Sequence, residues 1–379
     1  MKNWKIVKLG DVLNNRQIQP DAVEIAEGKT SIIAKISFSD GRIELRNDGK
    51  NNTKLICCFP NDLILSGINV SKGAIAINTF NKIIAATIHY SSYYHDSKKV
   101  DLHFLLYYFR SKNFQNSLNF EMSQGLKTEV KPKKFLSIEA ALPSLPEQQR
   151  IVNRLESVKS KIEAVKILRG EQNRLNKSLL FSLFTDLVKG AKWQKMGEVA
   201  PLAKRPVSLQ PNTKYNEIGA RSFGKGTFDK PIVNSDELTW QKPNWIKTGD
   251  LLFSNIKAWE GAIAAVTEKD NDKIGSHRYL TFVPDSEVTT AEFLCFYFLT
   301  YEGLEKLGNA SPGSADRNRT LNTKIISNTL VPVPSLHLQK EFLEIKAKLN
   351  TTTQHQVTQQ QALETLLPSA LDKAFKGEW

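Results

Sequence analysis

Two long stretches of the chain place apolar residues at spacings that alternate between four and three positions. This alternation is typical of α-helices that pair along a coiled-coil seam. Each stretch is about 40 residues long, which corresponds to a helix on the order of 60 Å at 1.5 Å per residue. The predicted seam residues are Ile151, Leu155, Val158, Ile162 and Val165 in the first helix, and Leu338, Phe342, Ile345, Leu349, Leu363 and Leu366 in the second.

The middle of both predicted seams is polar. Polar seam residues lower stability, but they can fix the register of a helix pair. The polar centres meet in a parallel as well as in an antiparallel pair, so the pattern leaves the direction open. The same register continues through Arg169, Gln172 and Asn176 in the first helix, and through Thr352, Gln356 and Gln359 in the second.

The segment before each helix has the pattern of short strands and turns. Ser31 to Ser37 and Gly73 to Ile77 predict strands, and Ser39-Asp-Gly41 predicts a turn. Two aromatic-rich runs, Leu102 to Arg110 and Ala291 to Leu299, predict short helices. We favour core packing over a base-stacking platform for their rings, because the spacing suits a helix that is buried on most sides.

The chain contains an internal repeat. Asp62-Leu-Ile-Leu-Ser66 matches Asp250-Leu-Leu-Phe-Ser254 at an offset of 188 residues, and Gly73-Ala-Ile-Ala76 matches Gly261-Ala-Ile-Ala264. The sequences of the intervening loops differ. A repeated scaffold with different loops is what two binding modules with different targets need. Duplication for stability alone is the alternative.

These patterns predict an α+β fold with two similar mixed α/β regions, each followed by a long helix that pairs with the other. We place the first region at residues 1–146 and the first helix at 147–191. The second region then covers 192–335 and the second helix 336–379.

The formal net charge of +13 favours polyanionic partners, because neutralising phosphates releases counterions. Charge alone does not separate DNA-binding proteins from other basic proteins. Three cysteines are too few for a disulfide framework and predict a reducing, cytoplasmic compartment. Apolar runs all fall short of the ~18 residues that span a bilayer, so we expect no membrane partner.

The usual catalytic motifs are missing from the sequence, which has neither a nucleotide-binding glycine loop nor a zinc-protease or serine-hydrolase motif. The histidines lack zinc-ligand spacing, so we expect no metal site. Pro20-Asp21 and Glu27-Gly-Lys29 lie too close together for the strand pair of a nuclease core. We therefore expect no catalytic residues and no cofactor. A nuclease or methylase with an unrecognised site, and a protein-interaction scaffold, are the rival interpretations.

Three segments carry a family resemblance. The helix entrance Leu142-Pro-Ser-Leu-Pro-Glu-Gln-Gln-Arg-Ile-Val152 resembles the junction before a conserved helix in specificity subunits of Type I restriction-modification systems. The opening from Trp4 to Val12 and the ending from Leu367 to Trp379 are similar to the ends of the same family. The second junction, Val333 to Lys340, departs from the pattern because it lacks the Pro-Glu-Gln run.

The resemblance implies a non-catalytic subunit that reads double-stranded DNA. Its two target-recognition domains would each read half of a bipartite site, and its helices would pack antiparallel and set the spacer. The helices would also dock two modification (methyltransferase) subunits, and restriction subunits could join. S-adenosylmethionine, Mg²⁺ and ATP would be bound by these partners. A stand-alone bipartite DNA-binding regulator or decoy is the alternative.

Basic residues near glycine-containing loops and early strands are the candidate DNA contacts. Glycine, serine and cationic side chains let a loop approach phosphates closely. The sequence does not separate base contacts from phosphate contacts. The candidates are Lys35, Lys127, Lys131, Lys133, Arg221, Lys225, Lys257, Arg317, Arg319 and Lys324.

Overall fold

The computed structural model describes residues 4–48, 53–123, 129–238, 242–313 and 319–376. The chain forms two compact units. Unit 1 comprises Met1–Gly170 together with Gln356–Trp379, and unit 2 comprises Glu171–His355. Each unit therefore contains one repeat and parts of both long helices. The four segments predicted above follow one another along the sequence, whereas the boundaries of the compact units fall within the two long helices. The division into four segments therefore stays a prediction.

Unit 1 is a mixed α/β structure built on small sheets. Its strands are β1 (Lys5–Lys8), β2 (Leu13–Arg16), β3 (Ile32–Ile36), β4 (Ile43–Arg46), β5 (Leu55–Cys58), β6 (Leu63–Ser66), β7 (Ile75–Ile77), β8 (Ile84–Thr87), β9 (Tyr90–His95) and β10 (Glu139–Leu142). Its helices are α1 (Ala22–Ala26), α2 (Leu102–Arg110), α3 (Lys112–Ser123), α4 (Pro132–Leu136) and the first part of α5 (Leu145–Val188). One sheet has the order β2-β9-β6-β7, a second has the order β4-β3-β8-β5, and β1 pairs with β10.

Unit 2 repeats part of this plan. Its strands are β11 (Lys192–Lys195), β12 (Leu202–Ala203), β13 (Lys214–Tyr215), β14 (Ile218–Ala220), β15 (Thr227–Asp229), β16 (Val233–Asn234), β17 (Asn244–Ile246), β18 (Leu251–Ser254), β19 (Ile263–Ala265), β20 (Lys273–Gly275), β21 (Tyr279–Phe282) and β22 (Leu330–Val333). Its helices are α6 (Met196–Val199), α7 (Ser235–Leu238), α8 (Ala291–Phe298), α9 (Tyr301–Asn309), α10 (Thr323–Asn328) and the first part of α11 (Leu336–Lys376). The sheet β12-β21-β18-β19 and the pair β11-β22 match unit 1, but two-stranded pairs (β13-β16, β14-β15 and β17-β20) replace its second sheet.

The aromatic-rich helices α2 and α8 lie at the centre of the two cores. Phe104 and Phe109 are fully buried in unit 1, and Phe293 and Phe298 are fully buried in unit 2. This confirms the prediction that these rings pack in the core rather than form a base-stacking platform.

The long helices pair antiparallel within each unit. In unit 1 the beginning of α5, at Ile151 and Leu155, shares a core with Leu371 and Phe375 at the end of α11. In unit 2 the end of α5 meets the beginning of α11. The rings of Phe184 and Phe342 have centroids 5.5 Å apart there. The structure thus selects the antiparallel direction, which the seam pattern had left open and the family resemblance had implied.

Up to its polar middle, the first predicted seam consists of residues that are buried or half-buried. Ile151, Leu155 and Ile162 are buried, and Val158 and Val165 are half-buried. Beyond Arg169 two of the inward-facing positions lie one residue after the predicted ones. Gln172 and Leu179 are exposed, whereas Asn173 and Leu180 face inward; Asn176 lies inward as predicted. A helix has 3.6 residues per turn, so a strict 3.5-residue repeat drifts, and two successive steps of four restore the contact.

Along the second predicted seam, only every seventh residue from Phe342 to Leu363 faces inward. Phe342 and Leu363 are buried and Leu349 and Gln356 are half-buried, but Leu338, Ile345, Thr352, Gln359 and Leu366 are exposed. The inward positions are the next residues along, namely Gln339, Lys346, Thr353, Gln360 and Leu367. Most of these are polar, which is why apolar spacing selected their exposed neighbours. The Lys346 Nζ lies 5.4 Å from the Phe296 ring centroid, so its aliphatic stem can pack inward.

A buried Arg–Asp pair recurs at the same place in both repeats. In unit 1 the Arg16 Nε donates to the Asp62 carboxylate at 2.7 Å. In unit 2 the Arg205 Nη1 donates to Asp250 at 2.6 Å. Both aspartates are 1% exposed, and each immediately precedes a matched strand of the repeat, β6 or β18.

A buried glutamine holds the start of each long helix. The Gln148 amide donates to the Pro143 carbonyl at 2.9 Å and accepts from the Asp101 backbone N–H at 2.8 Å. The Gln339 amide donates to the Pro334 carbonyl at 2.9 Å and accepts from the Thr289 hydroxyl at 3.0 Å. The second junction therefore keeps the glutamine, although the residues on both sides of it differ from those of the first junction.

Candidate nucleic-acid interface

A hairpin loop with an aromatic tip stands out in unit 2. Strands β14 and β15 pair antiparallel, and the Arg221 N–H donates to the Gly226 carbonyl at 2.9 Å to close the loop. Phe223 at the tip has a φ of 62° and is 73% exposed. A bulky residue with positive φ is uncommon and marks local strain.

The tip of this loop is pinned to the turn that follows β18. The Phe223 N–H donates to the Glu260 carbonyl and the Gly224 N–H donates to the Gly261 carbonyl, both at 2.9 Å. A Cβ on Gly224 would lie 2.5 Å from the end of the Leu299 side chain, and the φ of 64° at this position favours glycine. The exposed phenylalanine is therefore held by an anchored backbone.

Two predicted cations flank one indole ring beside the loop. The Arg319 Cζ lies 4.5 Å and the Lys257 Nζ 5.1 Å from the Trp259 ring centroid, within the range of cation–π attraction. Arg319 also donates to the carbonyls of Ser311 and Gly308, at 3.1 and 3.0 Å. Arg319 thus shapes the end of α9 and the start of the following loop, in addition to any contact with DNA.

The charge of Lys257 is balanced within the protein. Its Nζ donates to the Glu260 carboxylate at 2.8 Å, and the Ser222 hydroxyl donates to the same carboxylate at 2.9 Å. The hydrogen bond from Lys257 is the main reason why the pKa of Glu260 lies below its usual range. Arg221 and Lys225, by contrast, are exposed and form no salt bridge among the described residues.

The structure therefore brings Arg221, Lys225, Lys257 and Arg319 to one region of unit 2. Lys324 is exposed on α10. Arg317, like Lys127 in unit 1, lies outside the described residues. The candidate contacts of unit 2 are thus centred on the tip of the β14–β15 hairpin and on Trp259.

Unit 1 presents a related loop between β3 and β4. The Ser37 N–H donates to the Arg42 carbonyl at 3.0 Å, and Phe38 at the tip is 49% exposed. Arg110 donates to the carbonyls of Asp40 and Ile75, at 2.8 and 2.9 Å, and so anchors the loop from below. Lys35 lies at a bulge in β3 and pairs with Glu44 at 3.4 Å.

The remaining candidates of unit 1 lie around α4. The Lys131 Nζ donates to the Glu129 carboxylate at 2.5 Å, and this bond is the main cause that lowers the pKa of Glu129. The same carboxylate lies 3.3 Å from the His89 ring nitrogen. Lys133 is exposed on α4. Lys131 therefore offers less free charge to a phosphate than Lys133.

The sequence interpretation missed both exposed phenylalanines. The signal was available, because Ser37-Phe38 precedes Gly41 as Ser222-Phe223 precedes Gly226, at an offset of 185 residues. The buried glutamines of the helix entrances were also missed. Neither the exposure of the two rings nor the burial of the amides follows from residue type.

The described part of the chain contains no cluster of three or more histidine, cysteine, aspartate or glutamate residues that could hold a metal ion. Of the helices that the structure describes, none combines the length and the apolar character needed to cross a bilayer.

Comparison with solved structures supports the architecture. The chain superposes over 100% of its length on 98% of the HsdS subunit from Thermoanaerobacter tengcongensis, with a TM-score of 0.66 and 19% sequence identity. It superposes over 100% of its length on 99% of a chain from a structure that concerns complex assembly and conformational transition of the type I R-M system, with a TM-score of 0.69 and 18% identity. At these identities the likeness establishes the fold.

The family assignment rests on the sequence of unit 1. Residues 1–175 match the family model of the Type I restriction modification DNA specificity domain. In this family the subunit recognises DNA and the enzymatic activities lie on partner subunits. In its first 175 residues, the chain is therefore similar to the DNA specificity domain of Type I restriction modification proteins.

Proposed function

We propose that the chain reads a bipartite DNA target, with one half of the target bound by each unit. The observation that carries this proposal is the pairing of a repeated scaffold with different surfaces. Both units keep the buried Arg–Asp pair and an anchored loop beside a glycine turn. The residues around those loops differ, and different loops on one scaffold suit different half-sites.

The phosphate contacts would come from exposed cations near the two loops. Arg221, Lys225 and Lys133 are the strongest of the predicted residues, because the structure describes them as exposed and without a salt bridge to a described residue. The other candidates remain proposals of the same kind: Lys35, Lys127, Lys131, Lys257, Arg317, Arg319 and Lys324.

We further propose that the outer faces of α5 and α11 dock two modification subunits. Large apolar residues are exposed on these helices in both units. In unit 1 they are Ile167, Leu168, Val357 and Leu366, and in unit 2 they are Leu175, Leu179, Phe181, Leu338 and Ile345. Exposed apolar groups in such number mark interaction sites. The same residues explain why apolar spacing misassigned half of the second seam.

The modification subunits would supply S-adenosylmethionine, and restriction subunits would bring ATP and Mg²⁺ chemistry. The cytoplasm, where the host DNA lies, is the compartment that this function requires. None of the chain's own residues is assigned a catalytic role.

The docking surface can be tested with single substitutions on α5. Phe181→Ala should weaken co-purification of the host's modification subunit with this chain, because it removes an exposed aromatic anchor. Ser182→Ala, one residue further along the same helix, is the matched control and should bind as the wild type does. Equal binding by both variants would place the partner elsewhere.

The bipartite target can be tested by sequencing adenine methylation in a host genome with and without the gene. We expect methylation to disappear from one two-part sequence with a fixed spacer when the gene is deleted. Methylation that persists unchanged, while the purified chain still binds DNA, would favour the stand-alone regulator instead.

A further inference from the structure

We propose that Phe223 and Phe38 contact bases directly, each as an apolar wedge at one base step of its half-site. This inference rests on the proposed function, since it names residues that would read the bipartite target. Both residues are uncharged, and neither is among the predicted DNA contacts.

The first argument is the cost of exposing Phe223 where it stands. An exposed phenylalanine gains little from folding, and a positive φ adds backbone strain that glycine would avoid. Two hydrogen bonds from the tip to the turn at Glu260 and Gly261 hold this conformation in place. Such a residue is explained by a contact made outside the chain.

The second argument is the charge around the ring. The loop from Arg221 to Gly226 contains two cations and no acidic residue. The Lys225 Nζ lies 5.8 Å from the Phe223 ring centroid. The adjacent Glu260 is already engaged by Lys257 and Ser222. An apolar ring between two exposed cations suits a base step that lies between phosphates, and apolar wedges of this kind unstack base steps in other DNA-binding proteins.

The third argument is that unit 1 holds an exposed phenylalanine at the matching place. Phe38 follows a serine, as Phe223 does, and its loop also packs on a glycine turn. A Cβ on Gly73 would lie 2.7 Å from the Phe38 carbonyl oxygen. Gly73 and Gly261 both adopt positive φ, of 95° and 74°. The surrounding charges differ, since at the same offset Asp40 corresponds to Lys225 and Arg42 corresponds to Thr227. The aromatic tip is thus kept where its neighbours have changed.

The test uses the full chain in complex with its modification subunits and a DNA library of random sequence. The methylated molecules are sequenced for the wild type, Phe223→Ala and Phe38→Ala. We expect each variant to lose base preference at one or two adjacent positions of one half-site and to leave the other half-site unchanged. We also expect the affected wild-type positions to favour a pyrimidine–purine step, because such steps unstack most easily.

A matched control is available in the same unit. Ile232 is 63% exposed, and it follows the open end of the β14–β15 hairpin rather than its tip. Ile232→Ala should give wild-type sites at wild-type yield. If Phe223→Ala and Phe38→Ala also give wild-type sites and yield, the inference is wrong while the proposed function stands. If the wild-type complex yields no two-part site, the proposed function itself fails.

A second measurement separates wedging from a side-on contact with a thymine methyl group. The mapped site is prepared with 2-aminopurine next to the affected step. Wild-type protein should raise the fluorescence, because the base loses a stacking neighbour, and Phe223→Ala should not. Binding should weaken about tenfold in the variant, since base–aromatic stacking is typically of that size. Weaker binding with no fluorescence change in either protein would overturn the wedge.

A substitution to glycine guards against a folding artefact. Phe223→Gly relieves the strain of the positive φ, so the melting temperature of the complex-free chain should stay the same or rise, by roughly 2–4 °C at most. DNA binding should nevertheless weaken as in Phe223→Ala. The log–log salt slope should stay unchanged for both Phe223 variants, whereas Lys225→Ala should reduce it by about 0.9 if it loses one phosphate contact. A lower melting temperature together with wild-type DNA binding would assign Phe223 a structural role.

Discussion

The buried aspartates of the two units have different surroundings. Asp62 in unit 1 accepts hydrogen bonds from Arg16, from the Phe59 backbone N–H at 2.9 Å and from the Ser92 hydroxyl at 2.8 Å. Asp250 in unit 2 accepts from Arg205 and from the Lys247 backbone N–H at 2.8 Å. The same ion pair thus has an additional donor in unit 1. Both repeats contain the ion pair, but the other hydrogen-bond donors to the aspartate differ between them.

The same contrast holds on the surface. Unit 2 places Arg221 and Lys225 on its anchored loop, while unit 1 places Asp40 and Arg42 on the equivalent loop. Unit 1 supports its loop from below with Arg110, and unit 2 packs its loop on Leu299. The two units therefore use different residues to hold the backbone of this loop in place. Where the loop residues face outward, the units present different chemistry, as the two proposed half-sites would require.

The largest expected effect comes from removing the arginine of each buried pair. Arg205→Ala leaves the Asp250 carboxylate buried with one donor, whereas Arg16→Ala leaves Asp62 with two. Breaking a buried pair costs roughly 3–5 kcal/mol when the remaining charge is uncompensated. We expect Arg205→Ala to lower the free energy of unfolding of unit 2 by about 3 kcal/mol or more, and Arg16→Ala to cost unit 1 less.

Cysteines already present in the chain can report each unit separately. Burial raises the pKa of the Cys58 thiol in unit 1 to about 12 and that of Cys295 in unit 2 to about 11. The thiolate is the reactive form, so both groups resist alkylation near pH 8 until their unit opens. Labelling across a denaturant series, read by mass spectrometry, gives one midpoint per unit. If Arg16→Ala lowered the free energy of unfolding of unit 1 by more than Arg205→Ala lowers that of unit 2, the expected order of the two effects would be wrong.

The second largest effect tests the corrected seam. Leu363 on α11 is buried within unit 1, and Leu366, three residues later on the same helix, is exposed. Leu363→Ala should lower the free energy of unfolding of unit 1 by about 2 kcal/mol or more, as buried leucine truncations do. Leu366→Ala should change it by less than about 0.5 kcal/mol. Cys58 labelling measures both variants, and equal losses would restore the seam predicted from apolar spacing.

These two leucines show what the sequence could and could not supply. The 188-residue repeat, the long helices and the buried aromatic helices follow from patterns of residue type, and the structure confirms them. The register of α11 does not follow, because Gln339 and Lys346 face inward while Leu338 and Ile345 face solvent. Apolar spacing marks residues that avoid water, and on these helices a proposed partner would cover some of them.

The candidate site was predictable to a smaller extent. Residue type identified four cations that the structure brings together, two on the β14–β15 loop (Arg221 and Lys225) and two beside Trp259 (Lys257 and Arg319). It could not show that Lys257 is engaged by Glu260 or that Arg319 is engaged by backbone carbonyls, since those partners come from tertiary contacts. The exposure and positive φ of Phe223 likewise depend on how the loop is anchored.

A smaller effect is expected at the buried glutamines. Gln148→Leu removes the acceptor for the Asp101 backbone N–H, which has no freedom to turn elsewhere. Gln339→Leu removes the acceptor for the Thr289 hydroxyl, which can rotate. An unsatisfied buried group costs roughly 1–3 kcal/mol, so we expect Gln148→Leu to destabilise its unit more than Gln339→Leu does.

The control for Gln148 is its exposed neighbour. Gln149→Leu keeps the same chemical change outside the core and should move the Cys58 midpoint very little. The double variant Gln339→Leu with Thr289→Val removes both partners of the hydrogen bond in unit 2, and it should recover part of the single loss. If Gln148→Leu and Gln339→Leu lower the free energy of unfolding of their units by the same amount, the difference between a backbone donor and a hydroxyl donor does not affect stability here.

The smallest effect is expected in the polar middle of the helix pair. In unit 1 the Arg169 guanidinium donates to the Gln359 side chain at 2.9 Å and reaches the Gln356 carbonyl and Gln360 only at 3.5 Å. In unit 2 the Thr353 hydroxyl reaches the Asn173 side chain at 3.5 Å. Contacts at the distance limit stabilise little, and apolar residues in a seam often stabilise more.

Replacing the arginine should therefore leave unit 1 as stable as before or slightly more stable. We expect Arg169→Met to raise the free energy of unfolding by no more than about 1 kcal/mol, with Arg174→Met at an exposed position as the neutral control. If the polar middle fixes register, the gain in stability should come with a loss of uniqueness, seen as mixed products when cysteines introduced at Val165 and Leu363 are cross-linked. A single cross-linked product, or a loss of more than about 1 kcal/mol, would show that Arg169 acts through stability rather than register.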